Sequence, residues 1–206
     1  MGRPREHDID SLLERATAIM AQRGVHGLTL RGLAEETGAS NGTIHHAFRS
    51  RSNLVAMAYL REAEKFLALQ LDAVQQARSA SDPAAPVVAA ALTVSTFAKE
   101  SPTGAAFLLL VRYDDLLKEK VRDDLRDRLM ALTKRLAALF VELAKAGLGR
   151  DDQIAVGTIR ACVVDVPTGL LMHGNQLTDP YAVLRVEAAV RGILAATPSA
   201  DGTDDS

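Results

Sequence analysis

Apolar residues recur at helical spacing along almost the whole chain, and no convincing run of alternating β-branched residues interrupts them. That pattern restricts the chain to an all-α fold. It is clearest between Val121 and Leu143, where Val121, Leu125, Leu129, Leu132, Leu136, Phe140 and Leu143 step by four and three with charged residues largely between them. Such a segment is a helix with one face in a core and a solvated back. Glycine, proline and serine divide the remainder into about nine helices. Gly24 and Gly27 end a first helix from about Asp10, Gly38 separates a second and third, and Ser50 opens a long fourth toward Ser79 with Asn53 as its capping partner. Asp82-Pro83 and Pro86 fit the first turn of a fifth helix, which Ser101-Pro102 closes. A sixth runs from about Gly104 to Leu117, and the seventh is the amphipathic segment above. The last two span about 151–174 and 180–195. Pro167 should kink or divide the eighth, either as a packing accommodation or beside a cavity.

With 206 residues, 48% of them apolar, the chain can bury a sizeable core without staples. Its one cysteine, Cys162, excludes an internal disulfide, and its place in the apolar run from Ile159 to Val166 fits a packed thiol better than a reactive one. There is no apolar leader and no uninterrupted apolar stretch near the roughly 18 residues of a membrane span, so a cytoplasmic protein with no membrane partner is expected. The net charge of −2 argues against a chain coated with nucleic acid. Its distribution is more informative: between Thr37 and Arg61 lie Arg49, Arg51, Arg61, His45 and His46 and no acid, whereas the C-terminal segment carries Asp201, Asp204 and Asp205.

The segment from Thr29 to Phe48 holds two short helical stretches split by Gly38, apolar only where two crossed helices would touch. Thr29 can cap the first, and Leu30, Leu33 and Ala34 form its inner face. Ile44, Ala47 and Phe48 point inward from the second, whose outer side presents Ser40, Asn41, Gly42, Thr43, His45 and His46. A short, polar helix of little bulk can enter a major groove about 12 Å wide and approach base edges. The first sixty residues resemble the DNA-binding domain of the TetR (tetracycline-repressor-like) family. The matching features are Ala34 with Gly38, the run Gly42-Thr43-Ile44, Phe48 at the end of the recognition helix, and Arg49-Ser50-Arg51-Ser52-Asn53-Leu54 opening the next helix. The family usually has tyrosine in place of His45 and lysine in place of Arg51, both commonly phosphate contacts. Histidine and arginine retain donors for the same task.

On this reading Thr43 and Asn41, flanked by Ser40 and Gly42, face bases or adjacent phosphates, and His45, His46 and Arg51 face phosphate. Thr29 and Arg31 are further candidates, with Thr29 equally at home as a cap alone. The arm carrying Arg3 and Arg5 either lies in a neighbouring minor groove or frays. His45 and His46 diverge by about 100° on a helix and make poor joint metal ligands. No metal or cofactor is expected, and no catalytic triad, glycine-rich phosphate loop or His/Glu metal motif suggests an enzyme.

One recognition helix reads too few bases, so a homodimer on a palindromic operator is the physical expectation. The resemblance implies an organisation of 1–50 as helix-turn-helix domain with its arm, 51–197 as a helical ligand-binding and dimerisation domain, and 198–206 as an acidic tail. It also implies that the last two helices form a four-helix dimer bundle; the alternative is that they pack only within the chain. Arg112, Tyr113, Asp114, Asp165 and His173, polar groups set in apolar runs, are either paired structural residues or anchors for an unknown small-molecule effector. The expected function is a ligand-responsive repressor of double-stranded DNA targets. The rival is a helical carrier or interaction module that has lost specific DNA binding.

Overall fold

The computed structural model describes residues 6–79, 81–172 and 176–197. The predicted arm residues Arg3 and Arg5, the pocket candidate His173 and the 198–206 tail lie outside them. The described chain is all-α. Its helices are α1 (Glu6–Arg23), α2 (Leu30–Thr37), α3 (Asn41–Phe48), α4 (Arg51–Ala77), α5 (Ala85–Glu100), α6 (Pro102–Leu110), α7 (Tyr113–Lys118), α8 (Asp123–Leu148), α9 (Gln153–Arg160) and α10 (Pro180–Ala196). They form two compact units, Met1–Glu64 with Ser101–Ala131 and Lys65–Glu100 with Leu132–Ser206, so α4 and α8 each contribute to both.

In the first unit α1 stops at Gly24, whose φ of 79° is open to glycine without a Cβ penalty, and a 3-10 turn over Val25–Gly27 leads to α2. Ala16, Met20, Leu33, Ile44, Phe48 and Leu54 form its interior at 5% exposure or less. α6 packs on α1. Buried Asn53 ties three segments together: its Nδ2 donates to Phe48 O, its Oδ1 accepts from Arg122 N, and its own N–H donates to Ser50 Oγ. The expected capping partner of α4 is therefore also the clamp between the end of α3 and the start of α8.

The second unit buries Val87, Leu143, Ala155, Ile159, Cys162, Leu171, Val186 and Val190 in one core. α5 packs against α10 and against the turn that follows α9. Phe66 and Phe97 meet edge to face at 5.6 Å. Asp152 and Asp179 cap α9 and α10 by accepting from two backbone N–H groups each.

One expectation needs correction and one alternative is narrowed. The single sixth helix is two, because Val111 and Arg112 are extended between α6 and α7. The break buries Val111 and lets Asp114 and Asp115 occupy the first turn of α7, where the helix dipole favours acids. Pro167 does not divide its helix. Two π-helical turns, Ala161–Asp165 and Thr168–Met172, flank it, and Val166 N–H reaches back five residues to Ala161 O. Widening the turn accommodates a residue that lacks an N–H and whose ring crowds the carbonyl four residues earlier. The helical stretch Gln153–Met172 is, by length and composition alone, long and apolar enough to cross a membrane, although Arg160 and Asp165 interrupt it.

Candidate nucleic-acid interface

Each helix of the two-helix motif is started by a local side-chain hydrogen bond. Thr29 Oγ1 accepts from Gly32 N at 3.0 Å to start α2, and Gly38 ends it at φ 71°. Ser40 Oγ accepts from Thr43 N at 3.0 Å and pairs with Thr43 Oγ1 at 2.9 Å to start α3. With Ile44 and Phe48 fully buried, helical periodicity turns Asn41, Gly42, His45 and His46 to solvent and leaves Thr43 half-buried. The outer side of α3 is thus small, polar and free of acids.

The same unit braces this motif electrostatically. Glu36 on α2 accepts from Arg15 at 2.7 Å and Arg23 at 2.9 Å, both on α1. The Arg15 hydrogen bond first, and then Arg23, hold the Glu36 carboxyl below the usual carboxylate range. Arg61, anchored by Asp10 at 2.6 Å and by Glu62, ties α4 to α1.

The predicted contact residues fall into two groups. Ser40, Asn41, Gly42, Thr43, His45 and His46 share α3 and its cap. Thr29 and Arg31 stand at the start of α2, with Thr29 acting as cap and Arg31 forming an exposed pair with Glu35 at 3.0 Å. Arg51 is committed within the chain: its Nε donates to Leu28 O at 3.0 Å and its Nη2 to Val25 O at 2.5 Å, which fastens the α1–α2 turn to the start of α4. Arg49, absent from the predicted set, follows α3 directly with an exposed side chain. Its signal in the sequence was its charge within an acid-free stretch.

The polar groups expected to anchor a ligand are not gathered by either unit. Arg112 and Asp114 are exposed in the first, where Tyr113 is half-buried, donates to Leu129 O and stands 6.4 Å from Tyr59. Asp165 is exposed in the second. The second unit instead buries Gln70 Oε1 and Ser95 Oγ without a hydrogen-bond partner, although Gln70 Nε2 donates to Ala90 O. An open furrow of about 390 Å³ in this unit is floored by Ala68, Leu71, Val74 and Leu139 and rimmed by the Arg78–Glu142 pair. Burial pushes the Cys162 thiol up to about 11, which keeps it protonated and inert at neutral pH. Among the described residues no cluster of three or more His, Cys, Asp or Glu side chains is placed to hold a metal ion.

Residues 12–58 match the family model of bacterial regulatory proteins, tetR family. The N-terminal domain belongs to the tetR family. Around this tetR-family domain the chain as a whole has the fold of solved regulators. It is similar to the ketosteroid transcriptional regulator KstR2 of Mycobacterium tuberculosis, at 17% identity and a TM-score of 0.64 over 94% of this chain and 96% of that one. A second similar structure is the transcriptional regulator FadR from Bacillus subtilis in complex with stearoyl-CoA, at 14% identity and 0.64 over 91% and 97%. The superantigen PfiT shares the fold at 16% identity and 0.70 over 95% and 100%. At these identities the likeness is one of fold. No curated protein matches the chain by sequence.

Proposed function

We propose that this protein is a ligand-responsive transcriptional repressor that binds palindromic DNA as a homodimer, with α3 as the recognition helix. The observation that carries this reading is the outer face of α3: a capped helix in a tetR-family domain, showing only small or hydrogen-bonding side chains beyond its buried Ile44 and Phe48. Asn41, Gly42 and Thr43 stand at its N-terminal end, the part of a recognition helix that approaches base edges. His45, His46 and Arg31 flank them as phosphate donors, and the remaining guanidinium nitrogen of Arg51 can join them.

A second copy of the chain is the expected partner. In the second unit Ile154, Tyr181 and Leu184 are 69%, 73% and 59% exposed, and only a third of the apolar 153–172 stretch is buried. Exposed apolar side chains on α9 and α10, with so much of the 153–172 stretch unburied, are what a helical interface between two identical chains would cover symmetrically. We assign the part beyond residue 50 to dimerisation and to a small, largely apolar effector. Buried Gln70 Oε1 and Ser95 Oγ support the effector, since each orphaned polar atom costs about 1–3 kcal/mol unless water or a ligand satisfies it. The effector would act by binding the DNA-free form of the dimer more tightly than the DNA-bound one.

The test is a fluorescence titration of a mixed-sequence duplex over a range of salt concentrations. Log affinity should fall linearly and steeply with log salt as phosphate contacts release counterions. Absent or salt-insensitive binding would favour the carrier module instead.

A further inference from the structure

Immediately after the recognition helix the backbone is strained. Arg49 has φ 62° and ψ −40°, and Ser50 N donates to Phe48 O at 2.7 Å, which closes a three-residue γ-turn of the rare, positive-φ hand. Among the described residues Arg49 is the one non-glycine with positive φ; the other such positions are Gly24, Gly38 and Gly149. Glycine would be relaxed at position 49 as it is at those three. The surroundings hold the turn in place from both sides. Arg49 N donates to His45 O, buried Asn53 Nδ2 donates to Phe48 O, and Ser50 Oγ caps Asn53 N.

The strained residue keeps a long cationic side chain for which the fold has no use. The Arg49 guanidinium is exposed, and among the described residues no hydrogen bond or ion pair holds it. No acid lies between Thr37 and Arg61 to claim it. The bond from its N–H to His45 O sets Arg49 one turn beyond His45, which itself lies one turn beyond Asn41, so the three follow one another along α3. By contrast, Arg51 has two of its three nitrogens engaged with carbonyl oxygens, so it offers less to a phosphate than its charge suggests.

We infer that Arg49 is a DNA-backbone clamp: the γ-turn holds its guanidinium beyond the C-terminal end of the recognition helix, where it ion-pairs with a phosphate and fixes the depth and register of α3. Strained backbone retained at a ligand-facing position is a recurring feature of binding sites. This inference rests on the DNA-binding reading above.

Three variants separate charge from strain. Arg49→Gly removes both, Arg49→Gln removes the charge and leaves a non-glycine residue in the turn, and Arg49→Lys keeps the charge. Each is titrated against the same mixed-sequence duplex across salt, and its melting temperature is measured without DNA. Losing one phosphate contact per protomer, two in the dimer, should make the log-affinity against log-salt slope shallower by about 1.8 in the Gly and Gln variants, with Lys retaining the wild-type slope. Arg49→Gly alone should melt higher, by about 2 to 4 °C. Gly and Gln variants with the wild-type slope and affinity would overturn the clamp while leaving the DNA-binding reading intact. A flat slope for the wild-type protein would remove both.

Discussion

A methyl group added at Gly42 would meet Ser40 Oγ at 3.7 Å, an ordinary contact, so nothing within the fold requires glycine there. Its conformation is helical, where glycine is less stable than alanine by roughly 0.5–1 kcal/mol. On the proposed function, Gly42 has its purpose outside the chain, as the place where α3 would come closest to a duplex. Gly42→Ala should therefore raise the urea midpoint while weakening DNA binding about tenfold or more, the scale of one lost base contact. Other residues at this scale were less legible. The charge of Arg51 was plain in the sequence, but its bonds to Leu28 O and Val25 O depend on a turn whose path no local pattern specifies. The γ-turn at Arg49 was hidden for the same reason, since the usual mark of positive φ is glycine. Arg112, Asp114 and Asp165 looked like pocket anchors because they interrupt apolar runs, yet an interruption can also be where a helix breaks, as at Arg112, or turns its polar side outward, and all three are exposed.

Among the elements, Glu36 on α2 is joined to α1 by its pairs with Arg15 and Arg23. Because the folded carboxyl is held below its ordinary value of 4.5, its stabilising contribution is present above that pH and fades as the pH falls through the lower, folded value. Glu36→Gln should lower the urea midpoint at neutral pH, and the gap to wild type should narrow as the pH falls below 4.5 and the carboxylate is protonated. A gap independent of pH would assign the effect to packing. Helix positions were largely readable from glycine and proline punctuation and from the Thr29 and Ser50 caps, which form, whereas the caps at Ser40, Asp152 and Asp179 were not read from the sequence. The split between α6 and α7 was not, since the run from Phe107 to Val111 is apolar on every side and gives no phase to break. The outcome at Pro167 was equally hidden: sequence reports the missing N–H but not whether the helix bends, stops or widens.

For the whole molecule, the tetR-family domain was legible because several residue types must coincide at fixed offsets, whereas the remainder matched only in being helical. Its exposed Ile154, Tyr181 and Leu184 provide a handle on assembly. Leu184→Glu places a charge on the proposed dimer face of α10. It should convert dimer to monomer in sedimentation equilibrium with unchanged helical circular dichroism, and it should weaken DNA binding because two half-sites are no longer read together. A wild-type monomer, or a variant that stays dimeric, would move the interface elsewhere. Specific reading of DNA by paired recognition helices is tested by mixing the purified protein with fragmented DNA from its own genome and sequencing what stays bound at physiological salt. The expected outcome is a few fragments sharing an inverted repeat whose half-sites lie about one helical turn, or a multiple of it, apart. Recovery of no fragments, or of fragments without a shared site, would contradict it.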